Sequence, residues 1–480
     1  MLYSRLRTGI AALACAILAA CGAGDSPAPT GANQQKVVVS GAITGFGSVF
    51  VNGVRFDTSG ASILKDGVAT TQQGLRVGQI VHLKGRIDAD GRAFADSIRQ
   101  DDDLEGPITS IDTVAQTFVV LAHTVRVTAE TSFDDSGATS FAALTVGMQV
   151  EVSGMPAANG DIVATRIETR QAGDSSLEVL GEVAGLDAVA HKFHIGNLVV
   201  DYSAASLRDF GSSALSNGQL VEVKGNALNP AGELVATRVE LRNFEDGEGE
   251  FRREIEGLVT RYVSATDFDV AGRPVTTTST TRFENGTVAD LALNVKIEAE
   301  GEINTAGVLV ATKIQFKRGH NAGVAGIVDA VSADASGFGG TLSVLGITIT
   351  VDNNTRVEDK GDLDLESFRL ADLHPGDYVR VRGSEAGPLM LTASRLERRR
   401  LESDSWVRGT VRDLAQPNLT VLGAQVVTTG TTVFQGTTAT EFFANGSGLV
   451  VKAKGTETSN VLLAREIGLE DSDDDDGDDD

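Results

Sequence analysis

The sequence predicts an all-β fold: a tandem array of about six small OB-like β-barrels, each of five strands plus a short helical piece, flanked by a signal peptide and a disordered acidic tail. Three observations predict it. A short motif, Gly-x-Ile/Val-x-x-apolar, recurs six times at intervals of 65, 75, 76, 69 and 83 residues. Between its copies, apolar and polar residues alternate with the period of a strand. Glycine is abundant, 54 of 480 residues, and aromatics make up only 5%. That composition suits many short strands around small cores and excludes one large aromatic core.

The chain begins with an address at residues 1–20. Arg5 and Arg7 precede an apolar run from Gly9 to Ala20. The run is too short to span a bilayer as a helix and is built like the signal peptide of an exported protein. It ends in Leu18-Ala19-Ala20-Cys21, which resembles the bacterial lipobox: a branched apolar residue, two small residues, and a cysteine whose thiol accepts lipid. The resemblance implies cleavage before Cys21, with diacylglycerol and an N-acyl chain attached there. The alternative is an ordinary signal peptide that happens to contain a cysteine. Cys15 has a similar context but a shorter apolar run before it. With Cys15 removed and Cys21 acylated, the exported chain has neither free thiol nor disulfide, because the sequence contains only these 2 cysteines. Residues 21–36 read as a disordered tether with a reach of ~50 Å. Gly22, rather than an aspartate, follows the cysteine, and the expected location is the outer membrane.

Six units follow, at 37–100, 104–170, 177–242, 254–317, 322–398 and 405–469. Their opening glycines are Gly41, Gly106, Gly181, Gly257, Gly326 and Gly409. An alternating, glycine-broken segment comes next, as in Phe193-His-Ile195-Gly196-Asn-Leu198 and Phe268-Asp-Val270-Ala-Gly272. A Thr-x-Phe or Thr-x-Val step follows, at Thr131, Thr281, Thr355 and Thr432, and then a mildly helical piece such as Ser367 to Leu373. A second alternating strand ends in glycine, as in Val150-Glu151-Val152-Ser-Gly154 and Val221-Glu222-Val223-Lys-Gly225. Each unit closes with Ala-x-x-Ile/Leu/Val, from Ala95 and Ile98 in the first to Ala464 and Ile467 in the last.

The alternation places Val and Ile on one face and Lys, Glu, Gln and Arg on the other, as in strands with one face in the core and one in water. Glycines at strand ends meet turns that need positive φ or a tight bend. The order β-β-β-α-β-β is that of the oligonucleotide/oligosaccharide-binding barrel. A β-sandwich or a propeller is the alternative architecture, and the period exceeds the ~40–50 residues of a propeller blade. Together, the lipobox, the tether and the serial units resemble the bacterial family called domain of unknown function 5666, over residues 37–469. The resemblance implies fold and envelope location, and it brings no activity.

Short charged stretches separate the units: Asp101 to Glu105, Gln171 to Ser176, Asn243 to Glu254, Lys317 to Asn321, and Arg398 to Ser405. They read as solvated linkers between beads. Arg398-Arg399-Arg400 invites a lipid-headgroup or polyanion reading, but Glu397, Glu402 and Asp404 beside it favour a solvated linker. Residues 470–480 carry nine acidic residues in eleven and form a self-repelling, disordered polyelectrolyte. Such a tail attracts divalent cations diffusely. An EF-hand register counted from Gly477 begins on Ser472, not on a carboxylate.

Little in the sequence points to chemistry. The six histidines are scattered. His191 and His194 lie three apart beside a strand and so face opposite ways. There is no nucleophile elbow, zinc-protease motif, phosphate loop or cysteine cluster. No catalytic, cofactor-binding or metal-binding residue is therefore assigned, and the one site residue is Cys21, for lipid. The net charge of −25 opposes a nucleic-acid partner. Phe193 and Phe268 read as core rather than as a stacking platform.

The leading expectation is a non-enzymatic, lipid-anchored envelope protein. It would act as a multivalent adaptor or binding array for an unknown protein or polysaccharide partner. One alternative is a glycan- or cation-binding surface lipoprotein, which needs exposed aromatics on one face of several units. The other is an envelope enzyme with a site in one atypical unit, for which Asp359 to Glu366 is the place to look.

Overall fold

A computed structural model describes residues 34–469 except 102, 135, 136, 172, 174, 243–250, 318, 320, 364 and 366. The signal peptide, Cys21, most of the tether and the acidic tail lie outside the described residues. The described chain is all-β and contains six repeats of one unit. No helix in it is long and apolar enough to cross a membrane.

The first unit shows how alternation becomes architecture. Strand Gln35–Phe46 pairs antiparallel with Val49–Val51 and, on its other edge, with Ile80–Ile87. Val49–Val51 pairs with Val54–Asp57, which runs parallel to Ala93–Gln100. Ala93–Gln100 pairs back onto Ile80–Ile87 and closes the ring. The pairing closes a ring of five strands, and the first half of Gln35–Phe46 keeps one edge that a strand of another unit takes up. Inside sit the alternating apolar residues, among them Ile43, Val51, Phe56, Val81, Leu83 and Ile98. The other five units repeat this pairing, with third and fifth strands parallel in each.

Two of the sequence signals meet across the ring. The threonine step interrupts the pairing of the third strand with the fifth, and its hydroxyl donates to the carbonyl of the closing alanine. The bonds are Thr131 to Ala164 at 2.8 Å, Thr281 to Ala311 at 2.6 Å, Thr355 to Ala393 at 3.0 Å and Thr432 to Ala464 at 2.7 Å. Beyond the break the chain runs parallel to the fifth strand again, as in Ser62–Lys65 and Arg356–Lys360. These extensions are extra to the five expected strands.

The glycine that follows the second alternating strand does a different job from the one expected. Gly85, Gly154, Gly225, Gly301, Gly383 and Gly455 lie inside the fourth strand of the ring, and none has positive φ. Each marks a bulge in the pairing with the fifth strand. A Cβ at Gly301, Gly383 or Gly455 would stand 2.0 Å from a carbonyl oxygen of that strand. The glycine before the strand is the one that needs left-handed backbone, and in unit four Asn294 supplies it at φ 63°.

The helical piece is smaller than expected. It is a single 3₁₀ turn at Gln72–Gly74, Phe141–Ala143, Val288–Asp290 and Leu370–Asp372, and a seven-residue helix only at Ala439–Asn445. Unit three has turns there among the described residues. Its segment, Gly211-Ser212-Ser213-Ala214, is rich in residues that favour turns over helix.

The units are not beads. First strands join them in pairs: one with four in parallel register, Val37–Ser40 against Arg252–Ile255; two with three; five with six. Three sheets result, and pairs two–three and five–six each share one continuous core. Described residues of the expected linkers are correspondingly structural. Asp101, Glu105, Glu254 and Arg398 are all buried. They are long enough in sequence to be loops, but pairing of the flanking first strands draws them into the sheets.

Candidate functional site

The outward face of each unit carries the charges. Reading along the strands, a glutamate stands three residues before the bulge glycine in units two to four: Glu151, Glu222 and Glu298. Cations stand two and six residues after the closing alanine: Arg166 and Arg170, Arg238 and Arg242, Lys313 and Lys317. Fourth and fifth strands are neighbours, so these groups meet. Arg170 pairs with Glu151 at 2.7 Å and Arg238 with Glu222 at 3.2 Å. Lys313 and Lys317 clamp Glu298 at 3.0 and 2.7 Å. Glu151, Glu222 and Glu298 are nonetheless buried, because a second unit covers the face. This overturns the expectation of a solvated polar face: polar alternation here marks contact between units.

The cross-unit bonds are specific. Lys65 of unit one reaches Glu151 and Glu168 of unit two at 3.0 and 3.4 Å. Arg242 of unit three meets Asp101 at the end of unit one at 3.3 Å. Arg395 of unit five donates to the carbonyls of Ala129 and Thr131 in unit two at 2.8 and 2.9 Å, and Ser132 donates to Glu358 at 2.9 Å. Units two and five thus touch through equivalent elements, the third-strand extension and the fifth strand.

Two polar cavities lie where several units converge. One of about 270 Å³ is lined by Glu130, Glu256 and Asp352 facing Lys296, Lys317 and Arg356. The other, about 390 Å³, is lined by Asp134, Glu358 and Asp359 with Arg76, Arg166 and Lys360. Each thus balances acids against bases. The second cavity borders the atypical insertion of unit five. Its Asp359 is engaged by Arg398 at 2.9 Å and by the backbone N–H groups of Gly361 and Leu365, which fold the insertion. Glu366 lies outside the described residues. Arg398 also lies against the Phe368 ring, so the basic triplet begins in the core of the unit rather than in a linker.

Glu254, Glu298 and Glu300 bring carboxylate oxygens within 4.8 Å of one another. Lys313 bonds two of them, Glu298 at 3.0 Å and Glu300 at 3.2 Å. Burial, then the charges of Glu298 and Glu300, push Glu254 well above the carboxylate range. The cluster is therefore organised around the Lys313 ammonium group. His191, in a left-handed turn, packs on Tyr202, and His194 is an exposed strand residue opposite Ala184. Phe193 and Phe268 are fully buried. No described aromatic residue is exposed, so the platform that a sugar-stacking surface requires is not formed by them. The outward Glu and Arg/Lys positions were legible in the alternation, and the signal that could have told burial from solvent is their pairing across the fourth and fifth strands in units two to four.

These faces have a pH signature. Burial pushes Glu178 up to about 8 despite Lys224 beside it, and Asp103 up to about 7. A carboxyl with a raised folded pKa holds its proton in the native state where the unfolded chain has lost it. Its stabilising contribution is complete below the unfolded pKa and is lost as pH rises through the folded value. Stability in urea should therefore fall between about pH 5 and 8, from the unfolded carboxyl range to the folded value of Glu178. Glu178→Gln, which copies the protonated form, should flatten that slope by up to about 1.4 kcal/mol per pH unit. An unchanged slope would show that Glu178 is ionised in the native state.

Fold and faces together define an all-β repeat protein whose units recognise one another through charged sheet surfaces. The sequence profile of one family, described as a domain of unknown function (DUF5666), matches residues 38–99, 105–168, 181–240, 256–315, 325–397 and 408–468. The matches cover well over half of the chain, which belongs to that family. No curated protein matches the chain.

Proposed function

We propose that each unit is an OB-like barrel, and that the chain is a non-enzymatic, lipid-anchored envelope protein acting as a compact adaptor. The strand ring with parallel third and fifth strands supports the OB-like reading. One observation carries the functional reading: the outward faces of the units already act as protein-recognition surfaces, with buried, register-specific ion pairs between units. Units with such faces suit contact with a protein partner. Packing into one body replaces the extended string with a rigid arrangement of the remaining faces. Cys21 would hold the protein at the outer membrane.

The test has two arms. Cys21→Ser should release the protein from the membrane fraction and abolish labelling by a palmitate analogue. Crosslinking in the native envelope should then capture a protein partner with the parent chain, and lose it with the released variant. Fractionation unchanged by Cys21→Ser would remove the anchor from this reading, and capture of no protein would remove the adaptor.

A further inference from the structure

We propose that the cavity of about 270 Å³ between units one, two, four and five is a binding site for one small, neutral, polyhydroxylated molecule, either a free monosaccharide or the terminal sugar of a glycan. The inference starts from one register position. Four residues after the closing alanine, units two, three and five carry Glu168, Glu240 and Glu397, and unit four carries Gln315. The three glutamates are engaged in ion pairs: Glu168 with Lys65 and Glu240 with Arg99, both of unit one, and Glu397 with Arg395 at 2.7 Å. Gln315 lines the cavity instead, and its carboxamide makes no hydrogen bond among the described residues. The acids beside it in the sheet are taken, Glu284 by Arg282 at 3.0 Å and Glu298 by Lys313 and Lys317. Unit five adds Thr392, whose hydroxyl also has no partner among the described residues. It adds Asn354 as well, whose Oδ1 takes the Lys317 ammonium at 3.5 Å while its Nδ2 makes no bond among them.

The charged walls decide the class of ligand. Glu256 holds Lys296 at 2.9 Å and Lys317 at 3.4 Å. Ser394 donates to Glu130 at 3.4 Å, and Asp352 accepts the Asn354 N–H at 2.9 Å. Arg356 is buried and donates to the carbonyls of Glu130 and Thr165. Three carboxylates thus stand against three cations, and a ligand of either net charge meets repulsion as well as attraction. A wholly apolar ligand would strip these groups of water and replace none of their hydrogen bonds. A hydroxyl both donates and accepts, so a polyol serves amide, hydroxyl and carboxylate together. Phe316, Ala42 and Ala393 supply an apolar wall for its C–H groups. The volume lies near the ~300 Å³ lower end of small-molecule sites and suits one sugar ring. The ligand is held by hydrogen bonds inside a cavity and needs no exposed aromatic platform. Four units contribute walls, so the site exists only in the assembled chain.

Calorimetric titration of the full exported chain with D-glucose and with N-acetyl-D-glucosamine tests the site. At least one of them should bind saturably, one molecule per chain, and acetate and glycine should not. Gln315→Leu and Thr392→Val should each weaken binding about tenfold. Neither side chain has a protein hydrogen bond to lose, so both variants should keep the urea midpoint of the parent. Titration with the disaccharide of the bound sugar separates the two sources: equal binding assigns the terminal sugar of a glycan, and binding of the monosaccharide alone assigns the free sugar. Saturable binding of neither sugar would overturn the proposal. So would binding that both variants leave unchanged, or a preference for acetate or glycine, which would make the cavity an ionic site.

Discussion

Gly383→Ala should unfold unit five or cost it about 3 kcal/mol or more, whereas Gly60→Ala should leave stability within about 0.5 kcal/mol of the parent. The reason is geometric. A methyl at Gly383 would stand 2.0 Å from the Thr392 carbonyl oxygen, 2.9 Å from its carbon and 3.0 Å from the Ala393 Cα. All three atoms belong to the backbone of the fifth strand, so no side chain can swing away. That strand is held on both sides of the bulge, by Arg382 with Arg395 and by Ser384 with Thr392. It also carries the carbonyl of Ala393 that accepts from Thr355. Moving it to admit the methyl would break the ladder and the threonine bond together. Gly60 has nothing within 4 Å of its would-be Cβ. Urea unfolding followed by circular dichroism and by Trp406 emission measures both variants. A Gly383→Ala protein as stable as the parent would show that the fourth and fifth strands part freely at the bulge.

The sequence made the inside of each unit legible and left the outside obscure, for one physical reason. Inward positions obey a local rule: a residue that alternates toward a small core must be apolar, and six copies of the rule reinforce one another. Phe193, Phe268 and the closing alanines were placed by that rule, and they lie inside. Outward positions obey the same alternation whether they face water or another unit, because both environments accept Glu, Arg and Lys. Glu222 and Arg242 look like solvated residues in sequence, and in the structure they are buried. The signal that separates the cases is charge sign compared between units at one register position. Asp101 stands where units two to four carry Arg170, Arg242 and Lys317, and it pairs with one of them. Repeat alignment shows such a complement only when polar positions are compared as closely as apolar ones. Glycine was misread in a related way. A glycine ending an apolar run signals a turn, but a backbone carbonyl approaching from a strand ten residues later leaves the same mark.

Arg242→Met should cost about 3–5 kcal/mol, the expected penalty for leaving a buried ion pair with one partner. Arg242 is almost fully buried and touches three carboxylates, Glu222, Glu240 and, across units, Asp101 at 3.3 Å. Arg99 joins from unit one, 2.6 Å from Asp101 and 3.5 Å from Glu240. Burial pushes Asp101 up to about 6 even with Arg99 at hand, so the network lies close to the limit of charge that this interface holds. Without Arg242, Glu222 keeps Lys224 at 3.0 Å and Arg238 at 3.2 Å, while Asp101 loses its direct ion pair with unit three and keeps Arg99 at 2.6 Å.

Replacing the network together, as Asp101→Leu/Glu222→Leu/Arg242→Met, should recover most of the loss, since apolar side chains avoid the desolvation cost. The ion pairs therefore do not act mainly as glue. Six homologous units share nearly the same apolar cores and could dock in several wrong combinations. The reversed sign at Asp101 admits the cationic position of unit three and repels a carboxylate in its place. The apolar triple variant should thus be nearly as stable as the parent but less uniform, with a broadened calorimetric transition and extra sites of limited proteolysis. A single sharp transition in that variant would show that strand pairing and cores alone select the arrangement of the units. A loss below about 1 kcal/mol in Arg242→Met would show that the interface is wet.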